Sequence, residues 1–267
     1  MFETLTRLIR SVQGGKTTPV DPAPTILICS GSTSVRFPTS INHAVYAAKH
    51  GYRYRFDINP YAGLPNVYYH KLATIIDALK DCDWLFWLDD DAAFMQLDKS
   101  LESLVPEMRD KNLFAIYCRS PVNRGIKTYL SAGNFLIRRC PEAFAFLIDC
   151  LNTTGEQSLE FWNEEEYGPY WGPYDQEAMI HQLKKCPRRL KQVVLLEYTR
   201  FNTRPFHFER ADDHFLVHFT NEPGRTKLEQ MADFTSRYGL SRFLVPDALA
   251  QPYEVYFSSI MNGILEP

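Results

Sequence analysis

Apolar and polar positions along the chain fall into two periods. Trp84 to Leu88 is an unbroken apolar run bounded by charges, and at that length it reads as a strand buried on both faces. "TILIC" (Thr25–Cys29) and the alternating "YRYRF" (Tyr52–Phe56) read as further strands. Between them, "PTSINHAVYAAKHG" places Ile41, Val45 and Ala48 on one helical face and stops at Gly51. "HKLATIIDALKDC" carries Leu72, Ile75, Ile76 and Leu79 at helical spacing and feeds the central run. "NLFAIYC", "LSAGNFLI", "QVVLLE" and "HFLVHF" predict four more strands. Helices are expected near Ser100, from Pro141, from about Asp175 and from about Thr226. Helices interleaved with strands predict an α/β fold, a Rossmann-like, mostly parallel sheet flanked by helices on both faces.

Residues 1–24 read as a lead-in or linker, because "SVQGGKTTPVDPAP" is rich in Gly, Pro and Thr, and residues 25–267 read as a single domain. The "GGKTT" within the lead-in is not a phosphate-binding loop. Arg10 stands where that loop needs glycine, and the nearest strand follows rather than precedes it. A hydrophobic content of 45% with a net charge of -3 describes a globular protein and argues against a broad nucleic-acid surface. The dense basic run Lys184–Lys191 lacks interleaved aromatics and reads as a solvated helix end and turn. Six cysteines without metal-ligand spacing read as reduced thiols. No apolar run approaches the ~20 residues that span a bilayer. A sequon at Asn152-Thr153-Thr154 matters only in a secretory compartment.

Chemistry concentrates where the central run ends, at Asp89, Asp90 and Asp91. Open α/β sheets bind ligands at the carboxyl ends of their strands. In extended backbone Asp89 and Asp91 point to one side and Asp90 to the other, and two hard oxygen donors there suit Mg²⁺ or Mn²⁺. The plainer reading is an acidic turn. His218 ends another apolar strand, from which it is expected either to join the same sheet edge as a third ligand or to be a hydrogen-bonded, partly buried histidine. Asp175 precedes a helical pattern and suits an N-cap. "FWNEEEYGPYWGPY" (Phe161–Tyr174) reads equally as a loop that closes over a sugar and as a rigid aromatic corner.

Several of these stretches, in this order, resemble glycosyltransferase family 34, retaining transferases of GT-A fold. "TILICSGS" is similar to the family's first strand and nucleotide-facing loop, and "YYHKLATIIDAL" before "WLFWLDDDAAF" to its lysine-bearing helix and D-x-D strand. "LSAGNFLIRRC", "YDQEAM" and "FLVHFT" resemble three further motifs of the family. Ser131 and Arg139 stand where the family usually has Asn, and the Gly-Cys that follows its His-Phe is replaced.

The resemblance implies a GT-A-like glycosyltransferase domain that moves galactose, xylose or glucose from a UDP-sugar to a glycan hydroxyl, forming an α-linkage. It implies Asp89, Asp91 and His218 as ligands of Mn²⁺ or Mg²⁺, and Asp175 and Gln176 at the anomeric carbon. The donor-binding set is then Ser30, Gly31, Ser32, Lys71, Asp89, Asp90, Gly133, Asn134 and Arg138, with Lys71 and Arg138 pairing with phosphates. The partners expected are a nucleotide-sugar donor and a carbohydrate acceptor, with no nucleic acid. The family's usual anchor and stem are missing, which implies a cytoplasmic enzyme, or a Golgi-lumenal one if the chain is a piece of a longer protein. The rival readings are a sugar-phosphate nucleotidyltransferase and a non-catalytic sugar-binding relative.

Overall fold

A computed structural model describes residues 24–253 apart from 60 and 124. Residues 1–23 of the expected lead-in, with "GGKTT", lie outside the described residues.

The strands in chain order are β1 (Ile26–Gly31), β2 (Arg53–Asp57), β3 (Trp84–Asp89), β4 (Ala92–Phe94), β5 (Ala115–Cys118), β6 (Asn134–Arg138), β7 (Val193–Leu196) and β8 (Leu216–His218). Six of them form one sheet in the order β2-β1-β3-β6-β5-β7, while β4 and β8 pair as a separate antiparallel ribbon. The sheet is mostly parallel, and only β6 runs against its neighbours. The helices that position the site are α1 (Thr39–His50), α2 (His70–Ala78), α3 (Leu101–Leu104), α4 (Pro141–Leu151), α5 (Gly155–Leu159), α6 (Glu164–Tyr167), α7 (Asp175–Lys185), α8 (Pro187–Leu190) and α9 (Lys227–Tyr238).

The strand period of two sorts side chains onto both faces. Leu85 and Trp87 of β3 join Leu72 and Ile75 of α2, Phe146 of α4 and Met179 of α7. Trp84, Phe86 and Leu88 join Tyr46 of α1, Leu101 of α3 and Phe94 of β4 on the opposite face. Phe86 and Leu88 are fully buried. Each such side chain contributes roughly 1.5–3 kcal/mol of burial, so β3 anchors everything built at its end.

Three expectations change in ways that matter for the site. The stretch "LSAGNFLI" becomes strand only from Asn134. Side chains take the hydrogen bonds that a ladder would use at Ala132: its N–H donates to Gln176 Oε1 at 3.2 Å, and its carbonyl accepts from Lys71 Nζ at 2.8 Å. Arg138 is not at the carboxyl edge. Because β6 is antiparallel, Arg138 lies opposite Trp84, at the start of β3, and donates to the Lys111 carbonyl, so it cannot serve a phosphate beside Asp89. His218 belongs to the β4/β8 ribbon opposite Ala92, not to the main sheet.

All six cysteines are unpaired thiols. Among the described residues, no helix is long and apolar enough to cross a membrane.

Candidate active site

The backbone leaves β3 at Asp89 and turns through Asp90 and Asp91 into β4. Asp89 and Asp91 therefore converge through a turn rather than along an extended strand. The ribbon then sets His218 beside Asp91, its N–H donating to the Thr203 carbonyl at 2.8 Å while Phe219 N–H donates to the Asp91 carbonyl at 2.9 Å. One ligand atom from each of Asp89, Asp91 and His218 lies within 4.8 Å of the others.

The repulsion expected of three adjacent carboxylates is offset by three separate cations from three parts of the chain. Lys71 of α2 holds Asp89 at 3.0 Å, and Trp87 Nε1 donates to the same Asp89 oxygen at 2.8 Å. Arg36 meets both oxygens of Asp90 at 3.1–3.3 Å. Lys227, the first residue of α9, bonds Asp91 Oδ2. Burial alone would raise the Asp91 carboxyl, but a protonated His218 and Lys227 together outweigh it and hold it below the usual carboxylate range.

One oxygen is left over. Asp91 Oδ1 is buried without a hydrogen-bond donor, 3.2 Å from His218 Nε2. On the other side of the ring Asn202 Oδ1, at 2.9 Å, is the nearest of three groups around Nδ1, and the neutral tautomer in which Nδ1–H donates to it turns the Nε2 lone pair toward Asp91. A lone pair facing an undonated carboxylate oxygen is an arrangement that a cation completes. Gly133 makes the approach sterically feasible, since a Cβ there would stand 2.5 Å from His218 Cε1 and 3.1 Å from Asp89 Oδ2.

Asp175 sits at the first position of α7, and the N-cap is Tyr174. The capping role fails for Asp175. Its carboxylate instead bonds Lys71 Nζ at 2.8 Å, so one ammonium bridges Asp89 and Asp175. Burial pushes Asp175 up against the pull of Lys71, while Lys71, pulled down by burial, is pushed up more strongly by Asp175 and Asp89. Lys71 thus serves carboxylates where a phosphate contact was expected.

These residues line a cleft of about 1150 Å³ with Gln176, Ser131, Gly133, Arg204 and Lys227 among its walls. Ser30, Gly31, Ser32 and Asp90 are not in its lining. Gly31 is the register partner of Asp89 on β1, so that group occupies the neighbouring stretch of the same sheet edge. Asn134 is fully buried with its Nδ2 3.2 Å from His218 Nδ1, and it lies behind the histidine rather than in the cleft lining.

Sequence reasoning missed Lys227, Asn202, Arg204 and Glu177. For Lys227 the signal was the capping box from Thr226 to Glu229, which fixes the start of α9 but not what that start faces. Glu177 lines the cleft with one oxygen buried and unpartnered, and burial pushes its carboxyl up to about 7 while the N–H groups of Glu177, Trp171 and Tyr174 pull it down. The native state then holds a proton that the unfolded chain releases near the ordinary 4.5. Stability should therefore fall by about 2–3 kcal/mol as pH rises from roughly 4.5 to 7. Urea melts at pH 5 and pH 8 should show this loss in the native protein and not in Glu177→Gln; equal losses in both would refute it.

Known proteins share both sequence and fold with this chain. A sequence profile of the galactosyl transferase GMA12/MNN10 family matches residues 37–129, which include α2, β3 and all three aspartates of the turn. An uncharacterized alpha-1,2-galactosyltransferase of Schizosaccharomyces pombe is 26% identical over 195 residues, 60% of this chain and 48% of that protein. Over residues 37–129 the chain is similar to the GMA12/MNN10 family. It spans about half the length of that relative.

A crystal structure of a glycosyltransferase involved in the glycosylation of the major capsid of PBCV-1 superposes with a TM-score of 0.57 at 16% identity, covering 80% of this chain and 100% of that one. This likeness establishes the fold, a GT-A-like α/β arrangement. The region matched to that family ends at residue 129, so His218, Asp175 and Lys227 reach the site from outside it.

Proposed function

We propose that the chain is a metal-dependent, retaining glycosyltransferase that moves a hexosyl or pentosyl unit from a UDP-sugar to a glycan hydroxyl with an α-linkage. One observation carries the reading. A ligand set of two carboxylates and an imidazole, within 4.8 Å, shares Lys71 with a second buried carboxylate, Asp175, in one cleft.

Asp89, Asp91 and His218 form a mixed oxygen and nitrogen donor set that fits Mn²⁺ or Mg²⁺. When bound there, the ion supplies positive charge to a diphosphate leaving group. Lys227 brings a second positive charge to the same corner through its bond to Asp91. Asn202 and Asn134 keep the imidazole turned toward the carboxylates. Asp175 presents negative charge to an anomeric carbon held over the cleft, as nucleophile or as stabiliser of an oxocarbenium-like centre. Lys71 fixes that carboxylate relative to Asp89, and Gln176, held by Ala132 N–H, lies next to it.

The test is a panel of UDP- and GDP-sugars with Mn²⁺, in which slow donor hydrolysis is followed by NMR without any acceptor. One UDP-sugar should release UDP, and UDP with Mn²⁺ should raise the melting temperature more than either alone. Silence toward every UDP-sugar, or a response to GDP only, would overturn the UDP assignment. A β-linked transfer product from an α-linked donor would overturn retention.

A further inference from the structure

The aromatic segment before Asp175 divides into an inner and an outer part. Trp162 packs edge-on against Tyr167 at 5.5 Å and Tyr170 at 5.3 Å, and its indole N–H donates to the Gly168 carbonyl at 3.1 Å. Tyr129 adds a further edge contact to Tyr167 at 5.3 Å, and the Tyr170 hydroxyl meets Ser158 Oγ at 2.8 Å. Gly168 turns the chain with φ +85°, where a Cβ would stand 2.0 Å from the Lys127 carbonyl oxygen. These contacts make the base of the segment a rigid corner.

The outer part is different. Trp171 lines the cleft and remains 54% exposed, although it is the largest side-chain type and stands on a fixed base. Beyond it, Tyr174 packs on Tyr68 with ring centroids 4.5 Å apart, and Asn66 Nδ2 ties down the Pro173 carbonyl at 2.9 Å. Tyr68 is 52% exposed and Phe206 is 56% exposed, and both line the same cleft. Exposed large apolar side chains gathered in a concave, polar-floored site mark a ligand surface. Half-exposed rings on the wall of such a site suit a ligand with flat C–H faces and hydroxyl edges, which describes a pyranose chain. Ser30–Ser32 are not in the cleft lining.

The geometry points to an oligosaccharide acceptor, gripped beyond its reacting sugar by Trp171, with Tyr68, Tyr174 and Phe206 as further rings on the same cleft wall. This rests on the transferase reading for the word acceptor, but not for the binding surface. Trp171 is a specificity-determining contact, and its ring is needed for saccharide affinity and not for donor chemistry.

The experiment uses saturation-transfer NMR and titration of the full chain with mannose-, glucose- and galactose-based saccharides of one to five units. At least one series should bind more tightly as it lengthens. Trp171→Ala should weaken that binding about tenfold or more, Trp171→Phe should restore part of it, and the thermal response to UDP with Mn²⁺ should be unchanged in both. Absence of saccharide binding by the native chain, equal affinity for one unit and five, or an unaltered affinity in Trp171→Ala would overturn the inference. Length-dependent binding lost in Trp171→Ala, with no response to any nucleotide, would uphold the surface and remove the transferase reading instead.

Discussion

In Asp91→Asn, Mn²⁺-dependent donor turnover is expected to fall by several kcal/mol of transition-state stabilisation, roughly a thousandfold. Asn keeps the size of the side chain while removing the anionic oxygen that faces His218 Nε2 at 3.2 Å. Folding should survive the change. Lys227, which loses its partner, keeps a quarter of its side chain in contact with solvent and does not become a buried unpaired charge. His218→Ala should lose activity to a similar degree, and added imidazole should restore some of it by filling the vacated space. Hydrolysis rates with and without EDTA decide the matter: full activity of the native protein in EDTA, or near-native activity of Asp91→Asn, would remove the metal from the mechanism.

Asp175→Asn is the second large effect. Removing a charge that faces an oxocarbenium-like centre should cost ~2–4 kcal/mol, or roughly 30- to 1000-fold in turnover. Stability should barely move, for a reason visible only in the folded protein. Tyr174 rather than Asp175 is the N-cap, so no cap is lost, and Lys71 retains Asp89 and the Ala132 carbonyl when Asp175 is neutralised. A drop in melting temperature that accounted for the lost rate would make Asp175 a structural anchor for α2 and α7. Near-native turnover at unchanged stability would leave it as a buried ion pair without a catalytic role.

The two variants probe parts of the site that differ in how legible they were. Asp89 and Asp91 stand out because a strand period ends abruptly in charge, and strand ends of open α/β sheets are where ligands bind. The three-cation arrangement around the triplet was not legible. Arg36, Lys71 and Lys227 lie 54, 18 and 136 residues from their respective carboxylates, and nothing local links them. Asp175 was legible as a residue that begins a helix, but its true neighbour, Lys71, is set by α2 and α7 each packing on α4. The same holds for Arg138, whose place at the wrong end of the sheet follows from the reversed direction of β6, and β-strand direction leaves no mark on side-chain alternation.

Periodicity by itself determined the α/β class, the order of the longer strands and helices and their buried faces, though not β4 or the short helices α5, α6 and α8, because a period of two or of 3.6 is imposed by local backbone geometry. It also marked the aspartates at the strand end as a candidate metal site, with His218 as a third ligand or an ordinary buried histidine, whereas chemistry at Asp175 was implied only by the family resemblance. Tertiary structure alone decided that β4 and β8 leave the main sheet to carry His218 to Asp91, that Lys71 ties Asp89 to Asp175, and that Trp171 faces the cleft while Trp162 is packed inward. Those outcomes depend on contacts between residues far apart in sequence, and their energies are settled by packing and charge pairing only once the sheet has formed.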